Sequence, residues 1–181
     1  MPVSISPTYV HKSAPLIPEV KPSITADLKI LWQLACGAPD GSSHAERLER
    51  FYRPQAESYD AFRERLLHGR SELIALLAPP DGAVVVELGT GTGRNAEFFG
   101  ARLARFERVE LVDLCPALLE QARLRWAHEP RVRVIAADAT HYRPELPADC
   151  VYFSYALTMI PQWRHALDNA LAMLKPGGLL G

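Results

Sequence analysis

A glycine-rich segment directly after a short apolar run places the strongest constraint on the fold of this chain. Residues 83–86 read Ala-Val-Val-Val, which is typical of a strand buried on both faces of a sheet. The loop Glu87-Leu88-Gly89-Thr90-Gly91-Thr92-Gly93 follows, and then a helical stretch from Asn95 to about Leu103. Glycines allow the main chain to turn tightly, and the amides at a helix N-terminus point toward an anion or nucleotide. The order strand, glycine loop, helix therefore predicts a nucleotide-binding site.

The rest of the chain continues the alternation of strands and helices. Further strands are predicted over residues 109–112, 132–135 and 150–153, and helices over 116–126 and 163–174. This alternation favours an α/β fold with a parallel sheet covered by helices on both faces. Lys175-Pro176-Gly177-Gly178 predicts a turn, and Leu179-Leu180 reads as a strand that has barely begun. We expect the chain to be truncated relative to a complete gene product; a short natural variant is the alternative.

The region before the sheet divides into two parts. Five prolines and no hydrophobic period over residues 1–23 predict a flexible, Pro-rich arm. Residues 24–78 predict a helical cap that contributes to substrate binding, with one helix over 26–36 and a longer helical region over 44–78 that is interrupted near Pro54. Residues 79–181 then form the predicted nucleotide-binding core.

Composition excludes several classes of protein. The chain has 181 residues, 48% of them hydrophobic, and a formal net charge of −1, which indicates a globular domain without broad affinity for nucleic acid. Its three unpaired cysteines read as reduced thiols, and no histidine cluster has the spacing of metal ligands. The N-terminus does not have the pattern of a secretory signal, so we expect a cytoplasmic protein.

Two carboxylates at the ends of the next strands narrow the type of ligand that the glycine loop predicts. Asp113 ends the second strand, where a carboxylate accepts hydrogen bonds from ribose hydroxyls, and Asp138 follows the third. Either acid alone is as well explained as a solvated residue or a helix cap. The dinucleotide fingerprint needs a glycine at position 94, which is Arg94 here. The pattern therefore favours a mononucleoside cofactor over NAD.

The motifs together resemble those of the class I S-adenosylmethionine-dependent methyltransferases. The segments are VVVELGTGTGRN (84–95), VELVDLCPALLEQAR (109–123), VIAADAT (134–140), DCVYFSYALTMIP (149–161) and LKPGG (174–178). The resemblance implies a Rossmann-like sheet in the order 3-2-1-4-5, with C-terminal strands that this chain lacks. It also implies S-adenosyl-L-methionine as the cofactor.

The resemblance assigns roles to residues of this chain. Glu87, Gly89 and Gly91 would lie along the methionine portion of the cofactor, Asp113 at its ribose, and Asp138 and Ala139 at its adenine. Ser154 and Tyr155 would line the floor beneath the sulfonium. The other residues expected to contact the cofactor are Tyr59, Arg70, Thr90, Gly93, Asn95 and Leu114.

The segment FYRPQAESYDAFRERLLHGRSELIALL (51–77) resembles the betaine-lipid methyltransferases, which trimethylate the amine of diacylglycerylhomoserine. This resemblance implies that Tyr59 closes over the cofactor and that Arg63 or Arg70 holds a carboxylate, of methionine or of homoserine. The alternative is a solvated helix face on which arginines pair with glutamates. The residues expected to bind substrate are Tyr52, Asp60, Arg63 and Met159. A lipid acceptor implies peripheral contact with the inner face of a membrane, and a homoserine-transferring enzyme as partner.

Methyl transfer to an amine depends mainly on positioning and on exclusion of water. Tyr155, Tyr59 and His68 are the residues expected to accept a proton or to orient the lone pair of the amine. His141 and His165 read as surface or capping residues, and His11 and His44 lie outside the matched segments. Two alternatives stay open: a methyltransferase for a soluble small molecule or quinone, and a non-catalytic S-adenosylmethionine-binding domain.

Overall fold

Five short apolar segments form one parallel sheet in the computed structural model, which describes residues 43–55, 60 and 66–181. The strands are β1 (Val84–Leu88), β2 (Arg108–Asp113), β3 (Val132–Ala136), β4 (Ala148–Tyr152) and β5 (Leu174–Leu180). Their order is β3-β2-β1-β4-β5, and every neighbouring pair is parallel. The predicted Rossmann-like order 3-2-1-4-5 is therefore confirmed.

The helices lie close to their predicted positions, with one difference in type. The α-helices are α1 (His44–Tyr52), α2 (Arg70–Leu77), α3 (Pro116–Trp126) and α4 (Trp163–Met173). The segment after the glycine loop, Arg94–Arg105, is a 3-10 helix, and Gly100 inside it has a non-helical backbone. The predicted region 44–78 contains α1, a 3-10 turn at Arg53–Gln55 and α2. The predicted arm over 1–23 and the helix over 26–36 lie outside the described residues.

The sheet is buried on both faces, as its continuous apolar strands predict. All five residues of β1 are buried. On one face Val85 and Tyr152 pack against α2 and the 3-10 helix Arg94–Arg105, where Phe99 makes edge-to-face contacts with Phe106 and Tyr152. On the other face Val86 and Leu88 pack against α4. Each layer removes apolar surface from water, which is the main force that holds the sheet in place.

Strand β5 differs from the prediction. The segment Lys175-Pro176-Gly177-Gly178, expected to be a turn before the strand, lies inside β5. The register moves from Ala148 opposite Leu174 to Cys150 opposite Leu179, so β5 carries a bulge there, and Gly177 has a φ of 79°. A bulge accommodates the extra residues while both ends of the strand keep their pairing with β4.

Three further observations concern the cysteines, membrane-spanning helices and metal ligands of the described residues. Cys115 and Cys150 are free, buried thiols, and burial raises the pKa of each to about 12. Within the described ranges, no helix is long and apolar enough to cross a membrane. In those same ranges, no group of three His, Cys, Asp or Glu side chains has an arrangement that could hold a metal ion.

Candidate active site

A cavity of about 500 Å³ lies at the carboxyl ends of the strands. Open parallel sheets bind ligands at this edge, and a cavity of this size is typical of small-molecule sites. Its floor is formed by the glycine loop and by the residues that follow β2 and β3. Helix α1 forms one wall, and residues 155–162 after β4 form another. The ligand space is therefore enclosed between the sheet and the cap.

The glycine loop is shaped by close contacts on both of its sides. Gly89, Gly91 and Gly93 have φ values of 74°, 60° and 69°, in the region that favours glycine. The amides of Gly89 and Thr90 both donate to the carbonyl of Val112, at 2.8 and 3.0 Å. A Cβ at Gly89 would lie under 3.0 Å from the Cβ of Ala156. The loop therefore needs glycine at position 89 for both its backbone and its packing.

Glu87 is fully buried below the loop and accepts three hydrogen bonds. The donors are the hydroxyl of Thr90 (2.9 Å), the amide of Asn95 (2.6 Å) and the hydroxyl of Tyr152 (3.1 Å). This network joins β1, the loop, the following helix and β4. A buried carboxyl group that keeps its hydrogen-bond partners is costly to disrupt, so Glu87 holds the loop in shape from inside. Sequence reasoning did not identify Tyr152 as part of this network.

Arg70 is also buried, and it extends the same network. Its Nη1 donates to Oδ1 of Asn95 at 3.2 Å, its Nε donates to the carbonyl of Leu67 at 3.2 Å, and its guanidinium lies over the ring of Phe98. These contacts place Arg70 beneath the loop, away from the lining of the cavity. The arginine predicted to hold a carboxylate therefore supports the loop through Asn95.

Asp113 lines the cavity and fixes the end of β2. Its Oδ2 accepts from the amide of Gly91 at 2.8 Å, and its Oδ1 accepts from the amide of Cys115 at 2.9 Å. An ionised carboxylate has about four lone-pair sites and can accept more than two hydrogen bonds. Asp113 is thus oriented by the loop while it faces the cavity, which fits the recognition of two neighbouring hydroxyl groups.

Asp138 occupies the equivalent position after β3. Its Oδ1 accepts from the amide (2.8 Å) and the hydroxyl (2.7 Å) of Thr140. Burial raises the pKa of Asp138, but the two Thr140 bonds together with the nearby His141 and His44 outweigh burial and hold this pKa below its usual value. Among the described residues, Oδ2 receives no hydrogen bond. Asp138 is therefore an ionised acceptor at the cavity, next to the buried Ala139.

Asn169 holds this loop from below, and the sequence offered no signal for it. The side chain of Asn169, on α4, is buried, and its amide donates to the carbonyls of Ala139 (2.8 Å) and Tyr142 (2.9 Å). Both acceptors belong to the loop that carries Asp138. Because Asn169 is remote in sequence, only the packing of α4 against this loop brings it here.

The segment after β4 contains a residue with unusual backbone geometry. Tyr155 has a φ of 59°, rare for a residue with a side chain, and its hydroxyl donates to the carbonyl of His68 at 2.6 Å. This conformation places Ala156 against Gly89. Tyr155 lines the cavity, whereas the side chain of His68 is exposed and does not line it. The phenol proton of Tyr155 is thus directed away from the cavity, toward the main chain.

Helix α1 contributes a stripe of five residues to the cavity: His44, Arg47, Leu48, Phe51 and Tyr52. The spacing i, i+3, i+4, i+7, i+8 is that of one helix face. Glu49 fixes this helix on the core, because its Oε2 accepts from the amide of Ala117 at 2.9 Å in the first turn of α3. Phe51 and Tyr52 pack against Leu118 in the same contact. Helix α1 is therefore a fixed wall of the site.

His44 and Arg47 are cavity residues that the sequence interpretation missed. His44 hydrogen bonds with the backbone of Met159 and lies near the charges of Asp113 and Asp138. Burial, followed by the charge of Arg47, lowers the pKa of His44 below its usual value, despite the opposing effect of the two carboxylates. His44 is thus neutral at neutral pH. The sequence did contain a signal for these two residues. Ser43 is the N-cap of α1, its hydroxyl accepts from the amide of Glu46 at 3.2 Å, and the stripe of cavity residues begins directly after it.

The remaining predicted residues divide by position. Those that line the cavity are Tyr52, Gly89, Gly91, Asp113, Leu114, Asp138, Ala139, Tyr155 and Met159. Those outside its lining are Asp60, His68, Arg70, Glu87, Thr90, Gly93, Asn95 and Ser154. Asp60 accepts from the hydroxyl of Thr92 at 2.5 Å and pairs with Arg125, on the outer side of the loop. Tyr59 and Arg63 lie outside the described residues.

Arg94 stands where a dinucleotide-binding fingerprint has its third glycine, and its side chain makes structural contacts. Its guanidinium pairs with Glu97 and lies over the ring of Phe98. Gly93 packs tightly instead, because a Cβ there would lie 2.9 Å from Leu111 Cδ1 and from Trp126 Nε1. The close packing that the third glycine supports in dinucleotide-binding folds is thus provided one position earlier.

Comparison with known proteins identifies the family to which this chain belongs. A family model described as a methyltransferase domain matches residues 85–178. The trans-aconitate 2-methyltransferase of Methylobacterium radiotolerans is 31% identical over 122 residues, which are 67% of this chain and 45% of that protein. The demethylmenaquinone methyltransferase of Clavibacter sepedonicus is 35% identical over 107 residues, covering 56% of this chain and 41% of that protein. The chain thus spans less than half the length of these two relatives.

Solved structures support the same fold. The S-adenosylmethionine-bound CalS10, an amino pentose methyltransferase from Micromonospora echinaspora, has a TM-score of 0.53 and 30% identity, over 68% of this chain and 54% of CalS10. The N-methyltransferase NodS from Bradyrhizobium japonicum, in complex with S-adenosyl-L-homocysteine, has a TM-score of 0.54 over 65% of this chain and 59% of NodS. At 24% identity, NodS shows the fold alone. From the family match and the sheet order, this chain belongs to the methyltransferase domain family.

Proposed function

We propose that this chain binds S-adenosyl-L-methionine in the cavity and transfers its methyl group to an acceptor. The observation that carries the proposal is the position of Asp113 and Asp138 in the lining, at the ends of adjacent strands, beside Gly89 and Gly91. Two ionised acceptors next to a glycine floor suit a ligand with ribose hydroxyls and an exocyclic amine.

The assignment of residues follows the chemistry of the lining. Asp113 would accept from the ribose hydroxyls, Asp138 would accept from the adenine amine, and Gly89 and Gly91 would allow the main chain to approach the methionine portion. When bound, S-adenosylmethionine supplies an electrophilic methyl group on a sulfonium. The protein positions the acceptor and excludes water, and the walls formed by Leu48, Phe51 and Tyr155 serve that purpose.

Two kinds of molecule are candidates for the methyl acceptor. The resemblance of residues 51–77 to betaine-lipid methyltransferases supports the amine of diacylglycerylhomoserine, reached at a membrane surface and supplied by a homoserine-transferring enzyme. The relatives do not support that acceptor, because they are named for trans-aconitate and demethylmenaquinone. Their names favour a second candidate, a soluble small molecule or quinone. Both acceptors need the same cofactor site.

Calorimetric titration with S-adenosylhomocysteine tests the cofactor site. We expect the wild-type chain to bind S-adenosylhomocysteine and not NAD. Asp113→Ala removes a charged acceptor, which contributes about 1.5–3 kcal/mol per bond, so binding falls by roughly 10- to 100-fold. Asp168→Ala changes an exposed aspartate on α4 and serves as the matched control. Equal binding by Asp113→Ala and the wild type would disprove the assignment.

Transfer of a labelled methyl group tests the acceptor. The chain is incubated with methyl-labelled S-adenosylmethionine and either diacylglycerylhomoserine in mixed micelles, trans-aconitate, or a panel of soluble amines. Label in the lipid phase supports the betaine-lipid acceptor, and label only in the aqueous phase excludes it in favour of a soluble one. Binding of S-adenosylhomocysteine without transfer to any acceptor would favour a non-catalytic binding domain.

A further inference from the structure

The lining of the cavity contains two acidic side chains and one arginine. Asp113 and Asp138 lie at the sheet edge, and Arg47 lies on α1, one turn from His44, which is near both carboxylates. Of the described residues that line this space, Arg47 alone has a permanent positive charge, because His44 is neutral at neutral pH. The lining therefore offers a bound ligand both carboxylates and one guanidinium.

The two carboxylates suit hydrogen-bond donors of the ligand, such as hydroxyl groups and an amine. They do not suit a negatively charged group. An arginine binds a carboxylate with two parallel N–H bonds, and this geometry is both stronger and more specific than that of a lysine. Arg47 is thus the member of the lining that fits an anionic group.

Arg47 is also held in position by its helix. It is three residues from His44 and four from Phe51, on the face that lines the cavity. Two contacts fix that face: the backbone hydrogen bond between His44 and Met159, and the bond from the Ala117 amide to Glu49. The helix that carries Arg47 is therefore held in place on the core, and a backbone that is already in position loses less entropy when a ligand binds.

The sequence predicted Arg63 or Arg70 as the carboxylate-binding residue; Arg63 lies outside the described residues, and Arg70 has a different environment from Arg47. Arg70 is buried and bonded to Asn95 and the Leu67 carbonyl, beneath the glycine loop. Moving Arg70 into the cavity would break bonds that support the loop. Among the described arginines, Arg47 therefore is the one whose side chain lines the cavity.

We propose that Arg47 binds a carboxylate group of the ligand in this cavity. The inference rests on the proposed function, because it takes the cavity to be the site of S-adenosylmethionine and its acceptor. The carboxylate has two possible sources: the methionyl group of the cofactor, or an acceptor such as trans-aconitate or a homoserine headgroup. The two sources can be distinguished by comparing how two nucleoside ligands bind, one with the carboxylate and one without it.

The test compares S-adenosylhomocysteine with 5′-methylthioadenosine, a nucleoside thioether without the carboxylate. The full chain is titrated as wild type, Arg47→Gln, Arg47→Lys and Arg50→Gln. Arg50 lies on the same helix, is exposed and does not line the cavity, so Arg50→Gln is the matched control. If the cofactor supplies the carboxylate, Arg47→Gln weakens S-adenosylhomocysteine by roughly 10- to 100-fold and leaves methylthioadenosine unchanged. Arg47→Lys has an intermediate effect, because lysine cannot form the paired bonds.

If the acceptor supplies the carboxylate, Arg47→Gln leaves both nucleosides unchanged. It then raises the KM for diacylglycerylhomoserine or trans-aconitate by a similar factor, and Arg50→Gln does not. The proposal is overturned if Arg47→Gln changes neither the binding of S-adenosylhomocysteine nor the KM of the acceptor. It is also overturned if Arg47→Gln weakens the binding of both nucleosides equally, which would indicate a general loss of structure. Failure of the wild type to bind S-adenosylhomocysteine would instead reject the proposed function.

Discussion

At the scale of single residues, Gly89 and Gly82 form a matched pair for testing the glycine loop. Both have a φ of 74°, but a Cβ at Gly82 meets nothing within 4 Å, whereas one at Gly89 collides with Ala156. Gly82→Ala should cost about 1–2 kcal/mol of unfolding free energy, the usual penalty of a left-handed backbone. Gly89→Ala adds overpacking of roughly 1–3 kcal/mol. Urea denaturation of both variants measures the difference, and equal losses would show that Ala156 yields without cost.

His44 provides a prediction about pH. Its folded-state pKa lies below the ordinary value of 6.5, because burial and Arg47 disfavour its charged form more than Asp113 and Asp138 favour it. The unfolded chain therefore binds a proton more readily, and the stability that neutral His44 contributes above pH 6.5 is lost as the pH falls through the range below it. His44→Gln should lose less stability than the wild type between about pH 8 and about pH 5.5. Parallel urea curves at the two pH values check this, and identical losses would contradict it.

At the scale of elements, Glu49 couples the cap to the core. Cys115, the N-cap of α3, makes no side-chain cap bond, and Glu49 of α1 accepts from the next available amide, that of Ala117. Burial raises the pKa of Glu49, but the bonds from Ala117, Cys115 and Arg53 outweigh it, so the side chain is ionised. A carboxylate at a helix N-terminus is favourable both as a cap and for the helix dipole.

Removing this contact should affect both stability and binding. Glu49→Ala leaves the Ala117 amide without its acceptor, and we expect a loss of about 1 kcal/mol. Because α1 carries Arg47 and His44, binding of S-adenosylhomocysteine should also weaken several-fold. Glu120→Ala removes an exposed glutamate of α3 and should change stability by less than about 0.5 kcal/mol. Thermal denaturation and calorimetry of the two variants test the coupling; unchanged binding by Glu49→Ala would show that α1 holds its position without Glu49.

At the scale of the whole molecule, ligand binding should stabilise the fold. A ligand that binds only the folded state at about 100 times its Kd adds about 2.7 kcal/mol. For a chain of this size, that corresponds to a rise in Tm of about 5–10 °C. We expect this rise with S-adenosylhomocysteine and none with NAD, since the loop has Arg94 where a dinucleotide fingerprint has glycine. A scanning thermal denaturation series with each ligand measures it, and stabilisation by NAD would contradict the assignment of the loop.

The sequence by itself determined strands β1 to β4 and the residues that follow them. Apolar runs separated by helical segments specify parallel strands, and in such sheets the residue after each strand lies at the ligand edge, so Asp113 and Asp138 were located without coordinates. The glycine loop was located in the same way, from local spacing. The type of each element and the position of each loop depend on short stretches of neighbouring residues, which a pattern records directly, whereas strand pairing, such as that of Val85 with Cys150, joins residues far apart in sequence.

Only the tertiary structure decided which side chains complete the site. Arg70 looked like a ligand-binding arginine, yet packing buries it under the loop, while Arg47 and His44, on a helix outside the matched segments, line the cavity. Asn169 supports the Asp138 loop from another helix. The position of each depends on how a remote helix docks, through contacts such as that of Glu49 with α3. Such docking arises from the summed packing and hydrogen bonding of distant segments, and local periodicity carries no record of it.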